Sequence, residues 1–307
     1  MDFDGTLWHH EAEVDCLDEA DTLGRFSACS QPSGHGQLVP VTSFTQDNLP
    51  ADMIDLLDAI LALAGITVKL TVKRTSPHRP EFFPDSRRPY PHHNRRGQRV
   101  ILYGSGRVDS VSIHQREPCP CTGCVQSGEP RVCWGEILVN TAAHCVFDTV
   151  EAQRTTCTFD FDSADSPAFD VAGLEARGVD VDGDRCLLRC VSHDVDKLAP
   201  LEARVQLFDR LASDVCERYK GCKDENRLAV IVSHPHGRYK RISVGQWVNR
   251  LPKGINDAMF EYTTATCPGS SGAFVFMPGR EGYWSDHVHS CYSSQLQLKR
   301  CSAGYDV

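Results

Sequence analysis

Three short runs carry residue types from which a hydrolytic site could be assembled: Val139-Asn140-Thr141-Ala142-Ala143-His144-Cys145, Asp184-Arg185-Cys186-Leu187-Leu188-Arg189 and Cys267-Pro268-Gly269-Ser270-Ser271-Gly272-Ala273. A serine hydroxyl is a poor nucleophile until an imidazole takes its proton, and the resulting imidazolium needs a carboxylate to hold its tautomer and charge. His144, Asp184 and Ser271 supply those three groups. Glycine at 269 lets the backbone turn so that the amides of Gly269 and Ser271 converge on a developing oxyanion, a contribution of about 10²–10³ in rate per donor. The chemistry this permits is acyl transfer through a covalent serine ester.

Such a site needs rigid strands to hold residues so far apart in the chain. From residue 99 onward short apolar runs recur between turn signals: 100–103, 108–113, 136–141, 155–161, 186–191, 228–232, 242–247, 262–266 and 273–276. Many short strands predict barrels or sandwiches. A helix is expected over Leu198 to roughly Tyr219, with Leu201, Val205, Phe208, Leu211 and Val215 at helical spacing, dividing the strands into two groups. Upstream, Pro50 opens a second helical pattern (Met53, Leu56, Leu57, Ile60, Leu63) that Gly65 should stop. Alternation over Ile66, Val68, Leu70 and Val72 then predicts a strand. The division expected is an acidic disordered tail over 1–47, a helix over 48–65, a first β-barrel over 66–196 carrying the histidine and aspartate, a connecting helix over 197–222, and a second barrel over 223–307 carrying the serine.

In motif form and in His, Asp, Ser order, the three runs resemble the chymotrypsin-like (trypsin-fold) serine proteases over about residues 66–295. The resemblance implies an all-β fold of two chymotrypsin-like antiparallel barrels and a serine endopeptidase, with His144 as general base, Asp184 as its orienter, Ser271 as nucleophile and the amides of Gly269 and Ser271 as oxyanion hole. It implies a protein or peptide substrate and no cofactor or catalytic metal. Gly104-Ser105-Gly106 resembles the first-barrel turn of HtrA-like members, and Ser233-His234-Pro235-His236-Gly237 before Ile242-Ser243-Val244-Gly245 resembles their second-barrel hairpin. The serine run also resembles nuclear trypsin-like proteases of animal cells. Ser192-His193-Asp194 offers a competing carboxylate, but Leu187 and Leu188 after Asp184 fit the family's strand. No Ile-Val-Gly-Gly activation site is present, and Ser270 stands where zymogens keep an aspartate, so activation by N-terminal cleavage is not expected. The family's primary specificity pocket falls in Trp284-Ser285-Asp286-His287-Val288-His289-Ser290, where alternation puts His287 and His289 on one face. Viral members read glutamine or glutamate with a pocket histidine, which implies a polar or acidic preference. Only 36 residues follow Ser271, fewer than the fold normally uses.

Composition sets outer limits. The chain has 307 residues, 41% hydrophobic and 24% charged, which excludes collagen-like, wholly disordered and small disulfide-scaffold classes. Its net charge of −9 is concentrated: residues 1–58 hold twelve acids against Arg25, so the remainder is +2. Residues 73–99 carry eight Lys or Arg and two acids; without aromatic stacking residues or a groove-reading helix we read a Pro-rich loop and expect no nucleic acid partner. The longest apolar stretch, 59–66, is too short for a membrane span and no signal-peptide order is seen, so an intracellular location is expected, cytoplasmic or nuclear. Oligomeric state stays open. The fifteen cysteines are read as thiols, including Cys133 and Cys145, and Cys267 and Cys291, which lie near positions where secreted relatives form disulfides. Cys119, Cys121 and Cys124, with Cys133 further on, have donors close enough for zinc, but no second paired knuckle follows and no metal is expected. Two rival functions remain: a protease-fold binding module without turnover, and a haloacid-dehalogenase-like phosphatase suggested by Asp2-Phe3-Asp4-Gly5-Thr6-Leu7. The latter lacks the buried strand and downstream motifs its chemistry requires.

Overall fold

The structure is a computed structural model, and the residues it describes are 7–10, 13–15, 29, 32–280 and 287–306. Residues 2–6 of the phosphatase-like run, and Trp284, Ser285 and Asp286 of the pocket window, lie outside them.

Two closed antiparallel barrels form the body. In the first, β1 (Thr67–Val72), β2 (Ile101–Gln115), β3 (Cys133–Thr141), β4 (Thr155–Phe159), β5 (Phe169–Asp180) and β6 (Arg185–Ser192) run in the circular order β1-β2-β3-β6-β5-β4. The second joins β7 (Leu228–Ser233), β8 (Arg241–Pro252), β9 (Asp257–Tyr262), β10 (Val275–Phe276), β11 (His289–Ser293) and β12 (Leu298–Cys301) in the order β7-β8-β9-β12-β11-β10. Its last seam is made by the chain leading into β11: Val275 N donates to His287 O (2.8 Å) and His289 N to Ala273 O (2.7 Å). The few residues after Ser271 therefore suffice to close the barrel, and Gly304–Tyr305 adds a further short pairing on β9. Closure matters because an open edge would leave backbone donors unpaired.

The expected all-β, two-barrel architecture is what the chain adopts. Local readings differ in instructive places. Runs 100–103 and 108–113 are one strand, β2, bulged between Val108 and Ser110. Gly104-Ser105-Gly106 is therefore no turn but mid-strand; a Cβ at 106 would lie 2.6 Å from Val139 Cγ1, so the glycine permits close approach of β3. Strand β5 has no counterpart among the apolar runs, because its residues are mostly half-buried. Two helices fill the gap between and beside the barrels, α1 (Leu57–Ile66), entered through a 3-10 turn at Ile54–Leu56, and α4 (Val195–Tyr219); the short α2 (Thr122–Ser127) and α3 (Thr149–Ala152) lie between them in the chain. Helix α4 buries Leu198, Leu201, Val205, Phe208, Ala212 and Val215 in the core it shares with α1. α1 runs through Gly65 to Ile66 before β1 begins. Of the described residues, none forms a helix long and apolar enough to cross a membrane.

Part of the stretch expected to be a disordered tail is packed. Val39–Pro40 pairs with β8, and Leu38 and Phe44 are buried. These anchors are too sparse to produce a periodic signal. His9–His10 pairs with β11 and Glu13–Asp15 with β2.

Candidate active site

The three runs meet where the barrels face each other. His144 follows the end of β3 in a turn closed by Cys145 N to Ala142 O, and is fully buried. Asp184 stands at the turn into β6 with φ +54, a left-handed conformation that costs energy outside glycine. Its side chain offsets that cost: Oδ1 accepts from the His144 backbone N–H at 3.0 Å, and Oδ2 accepts from His144 Nδ1–H at 2.7 Å. Because a carboxylate only accepts, the imidazole carries its proton on Nδ1. Asp184 Oδ2 also accepts from the Ser290 hydroxyl. Burial opposes charge on both partners, yet their mutual attraction prevails. His144 is raised to about 10, against desolvation, chiefly by Asp184; Asp184 is lowered to about 2, against desolvation, chiefly by His144.

Ser271 lies in the loop between β9 and β10, joined to the first barrel. Ser105 N donates to Ser271 O (2.8 Å), and Ser105 Oγ donates to Gly269 O (2.9 Å) while accepting from His234 N (2.9 Å). Gly269 has φ +94, and a Cβ there would stand 2.7 Å from His234 O and 2.8 Å from His236 N. Gly272 has φ +82, with Ala142 N only 2.9 Å from its Cβ position, so the serine loop abuts the histidine turn. Among the described residues neither the Gly269 nor the Ser271 amide has a hydrogen-bond acceptor. Ser271 Oγ and His144 Nε2 also have no partner there, although both are buried. Ser270 turns away: its hydroxyl meets Ser233 Oγ at 3.0 Å and accepts from Cys267 N, which fixes the loop from within.

His144 and Ser271 are both buried, and residues 7–10 pack over the His144 ring. The His10 ring lies 4.5 Å from the His144 ring, and its Nδ1–H donates to Ser290 O (3.2 Å) while Nε2 accepts from Arg88 (3.0 Å). Burial, then His144, push the His10 pKa well down, so the ring is neutral. Phe83 stacks on its other side, and Trp8 carries Arg300 3.8 Å from its ring centroid. The backbone of His9 and His10 is an added antiparallel strand on β11, opposite Tyr292 and Cys291. Beneath the histidine turn, Arg79 makes a bidentate pair with Glu151 (2.6 and 2.7 Å) and donates to His144 O (3.0 Å).

The structure pairs His144 with Asp184 and sets the Gly269–Gly272 loop against the histidine turn, with no hydrogen bond between His144 Nε2 and Ser271 Oγ. Asp194 is not part of the group: it precedes α4 and pairs with Lys197 at 3.0 Å in solvent. His287 and His289 do share a face, and both are buried. His289 O accepts from Gly272 N and its Nδ1 meets Tyr262 OH at 2.7 Å, which puts it beside the serine loop. His287 is further along, against Phe260, Cys301 and the Ser302 carbonyl. Among the described residues the cysteines are thiols and no disulfide joins them, Cys133, Cys145, Cys267 and Cys291 included. Ser290 stands in the sequence only as the end of the pocket window, and nothing in the sequence singles out His10, Arg79 or Glu151. The only sequence cue was a buried-type Arg and Glu far apart in the chain, which is no cue without the fold.

No family model matches the chain, and no curated protein does. Among solved structures it is similar to the HtrA-type protease AlgW with decapeptide, at 14% identity and TM-score 0.41, over 82% of this chain and 63% of that one. It is similar to the Rv3671c protease from M. tuberculosis in its active form at 11% identity and TM-score 0.42, over 82% of each chain. Deg5 overlaps 81% of this chain and 92% of its own, at 10% identity and TM-score 0.41. The chain spans less than two thirds of the AlgW chain. Overlaps and identities this low leave the functional argument to the site itself.

Proposed function

We propose that the chain is a serine endopeptidase acting through an acyl-enzyme on Ser271. The observation that carries the reading is the Asp184 carboxylate on His144 Nδ1 at 2.7 Å, set against a serine whose loop offers two unengaged amides. In this reading His144 Nε2 takes the Ser271 proton as Oγ attacks the scissile carbonyl. The developing oxyanion accepts from the Gly269 and Ser271 amides, and His144 returns the proton to the leaving amine. Asp184 holds the tautomer and stabilises the imidazolium. An extended peptide would add to β11 at the edge now held by His9–His10, since backbone pairing on a sheet edge is sequence-tolerant. Selection then falls to side chains near the serine. Of the two candidate histidines we assign that role to His289, whose ring Tyr262 fixes, with glutamate or glutamine before the cut.

A fluorophosphonate probe tests the enzyme reading. Labelling of the wild-type chain or of a chain trimmed of residues 1–15, abolished in Ser271→Ala and His144→Ala, is the expected result. Folded protein unlabelled in both forms would point instead to a binding module, a reading favoured by the buried Ser271 hydroxyl alone. A peptide panel varying the residue before the cut tests selection, and preference for lysine or arginine would refute the role given to His289.

A further inference from the structure

Outside the site, the described residues contain two four-donor groups of cysteine and histidine. We infer that the group Cys119, Cys121, Cys124 and His193 is a structural zinc site. Its donor atoms all lie within 4.8 Å of one another. His193 Nε2 stands 3.1 Å from Cys119 Sγ, 3.4 Å from Cys124 Sγ and 3.7 Å from Cys121 Sγ. A tetrahedron built on Zn–S of about 2.3 Å and Zn–N of about 2.0–2.1 Å has S–N edges of about 3.6 Å. Three thiols and an imidazole brought to one point match the Cys₃His donor set of closed zinc sites, and a soft tetrahedral set disfavours magnesium or calcium.

The local backbone is built for thiolates. Cys121 precedes α2, and its sulfur accepts from Cys124 N at 3.4 Å; the Cys124 sulfur accepts from Arg131 N at 3.5 Å. Trp134 and Val191 pack with the buried Cys119 and Cys124, while Cys121 and His193 are half-buried. The fourth ligand is not Cys133, which is exposed, but His193, immediately after β6. Two crossing chain segments are thereby tied: the β2–β3 connection and the entry to α4. Binding replaces three thiol protons with one Zn²⁺ and leaves a net charge of −1 at the site, with three protons released to solvent.

A second group stands on separate observations. Cys29, His35, His236 and Cys267 also hold their donors within 4.8 Å, with Cys29 and Cys267 sulfurs 3.7 Å apart, close to the S–S edge of about 3.8 Å for tetrahedral zinc. Cys267 lies two residues before Gly269, and His236 N donates to Pro268 O. Zinc here would bolt Cys29 and His35 to the loop that carries the two amides.

The test is metal content of the full chain, purified without chelator and, separately, refolded with Zn²⁺ alone. The expected result is about two zinc per chain, falling to about one in Cys124→Ser or His193→Ala and to about one in Cys29→Ser. Cys121→His, which keeps a donor, should retain the first zinc where Cys121→Ala loses it; that contrast separates ligation from misfolding. Co²⁺ in place of zinc should give thiolate charge-transfer absorption, weakened in steps by the same variants. Circular dichroism showing folded wild-type chain with no bound zinc would overturn both sites. A Cys29–Cys267 disulfide found by alkylation without reductant, or metal content unchanged in Cys29→Ser, would overturn the second alone.

Discussion

Removing the residues that cover His144 should raise the reactivity of Ser271. Residues 7–10 are held by the two pairings on β11, the His10 bonds to Ser290 O and from Arg88, and Trp8 against Arg300. Taking about 1 kcal/mol net for each hydrogen bond, about 1 for the cation–π contact and about 2–3 for burying the indole gives a gross of about 7 kcal/mol. Ordering four residues costs about 1.5 kcal/mol each, or about 6 in all. The cover is therefore closed by only 1–2 kcal/mol or so, open between a few per cent and a fifth of the time, and a probe needing the open form reacts more slowly by that fraction. Deleting residues 1–15 should raise the second-order rate of fluorophosphonate labelling about 5–30-fold, and Trp8→Ala should recover part of that gain while leaving the chain intact. A synthetic peptide of residues 7–15 added to the trimmed protein should slow labelling again. Folded trimmed and Trp8→Ala proteins that both label no faster than wild type would refute the argument that these residues gate the serine.

Asp184→Asn should cut peptide hydrolysis about 10⁴-fold by losing the carboxylate that orients and charges the imidazole. It should also move the His144 titration, followed by NMR, down from about 10, because the largest influence opposing burial is then gone. In the wild type the raised His144 contributes stability fully present below 6.5 and lost as pH climbs toward about 10; the lowered Asp184 contributes stability present above 3.8 and lost as pH falls toward about 2. Denaturant midpoints should thus show the largest contribution of the pair between those ordinary values, and an unfolding midpoint indifferent to pH from 7 to 10 would count against it. Glu151→Gln leaves the Arg79 guanidinium buried without its counter-charge and should destabilise by about 3–5 kcal/mol in urea unfolding, with activity falling as the His144 carbonyl loses its anchor. Gly269→Ala forces a Cβ against His234 O at φ +94 and should lower kcat about 10²–10³-fold, with near-wild-type circular dichroism.

How far the sequence could be read depends on whether a feature is local. The His, Asp and Ser runs were legible because each sits at a strand end whose small residues and glycines announce it, and the barrels were legible because apolar runs recurred between turn signals. Glycine misled where it served packing rather than turning: Gly104 and Gly106 lie within β2, where close approach of Cys145 and Val139 excludes a side chain. Strand β5 escaped because its exposed face carries Asp170, Glu175 and Arg177 and its register is broken twice against β6. What joins distant segments left no trace at all. Ser290 bonds a carboxylate 106 positions away, and His193, noticed only beside a rival aspartate, sits 69 positions from Cys124.

The cover and the charge on His144 belong to one physical state. A protonated imidazole has no lone pair on Nε2, so it cannot take the Ser271 proton. Neutral His10 against that ring supplies bulk without competing for the Asp184 charge, which is what its depressed pKa and its bonds to Ser290 and Arg88 provide. Were His10 replaced by lysine, its cation would lie beside Asp184 and His144 together, repel the imidazolium and lower the His144 pKa, while also loosening the cover. Labelling of His10→Lys should therefore rise at neutral pH more than that of His10→Ala, which loosens the cover without adding charge. Equal rates for the two variants across pH 6–9 would show that the cover acts by steric exclusion alone and that the His144 charge plays no part.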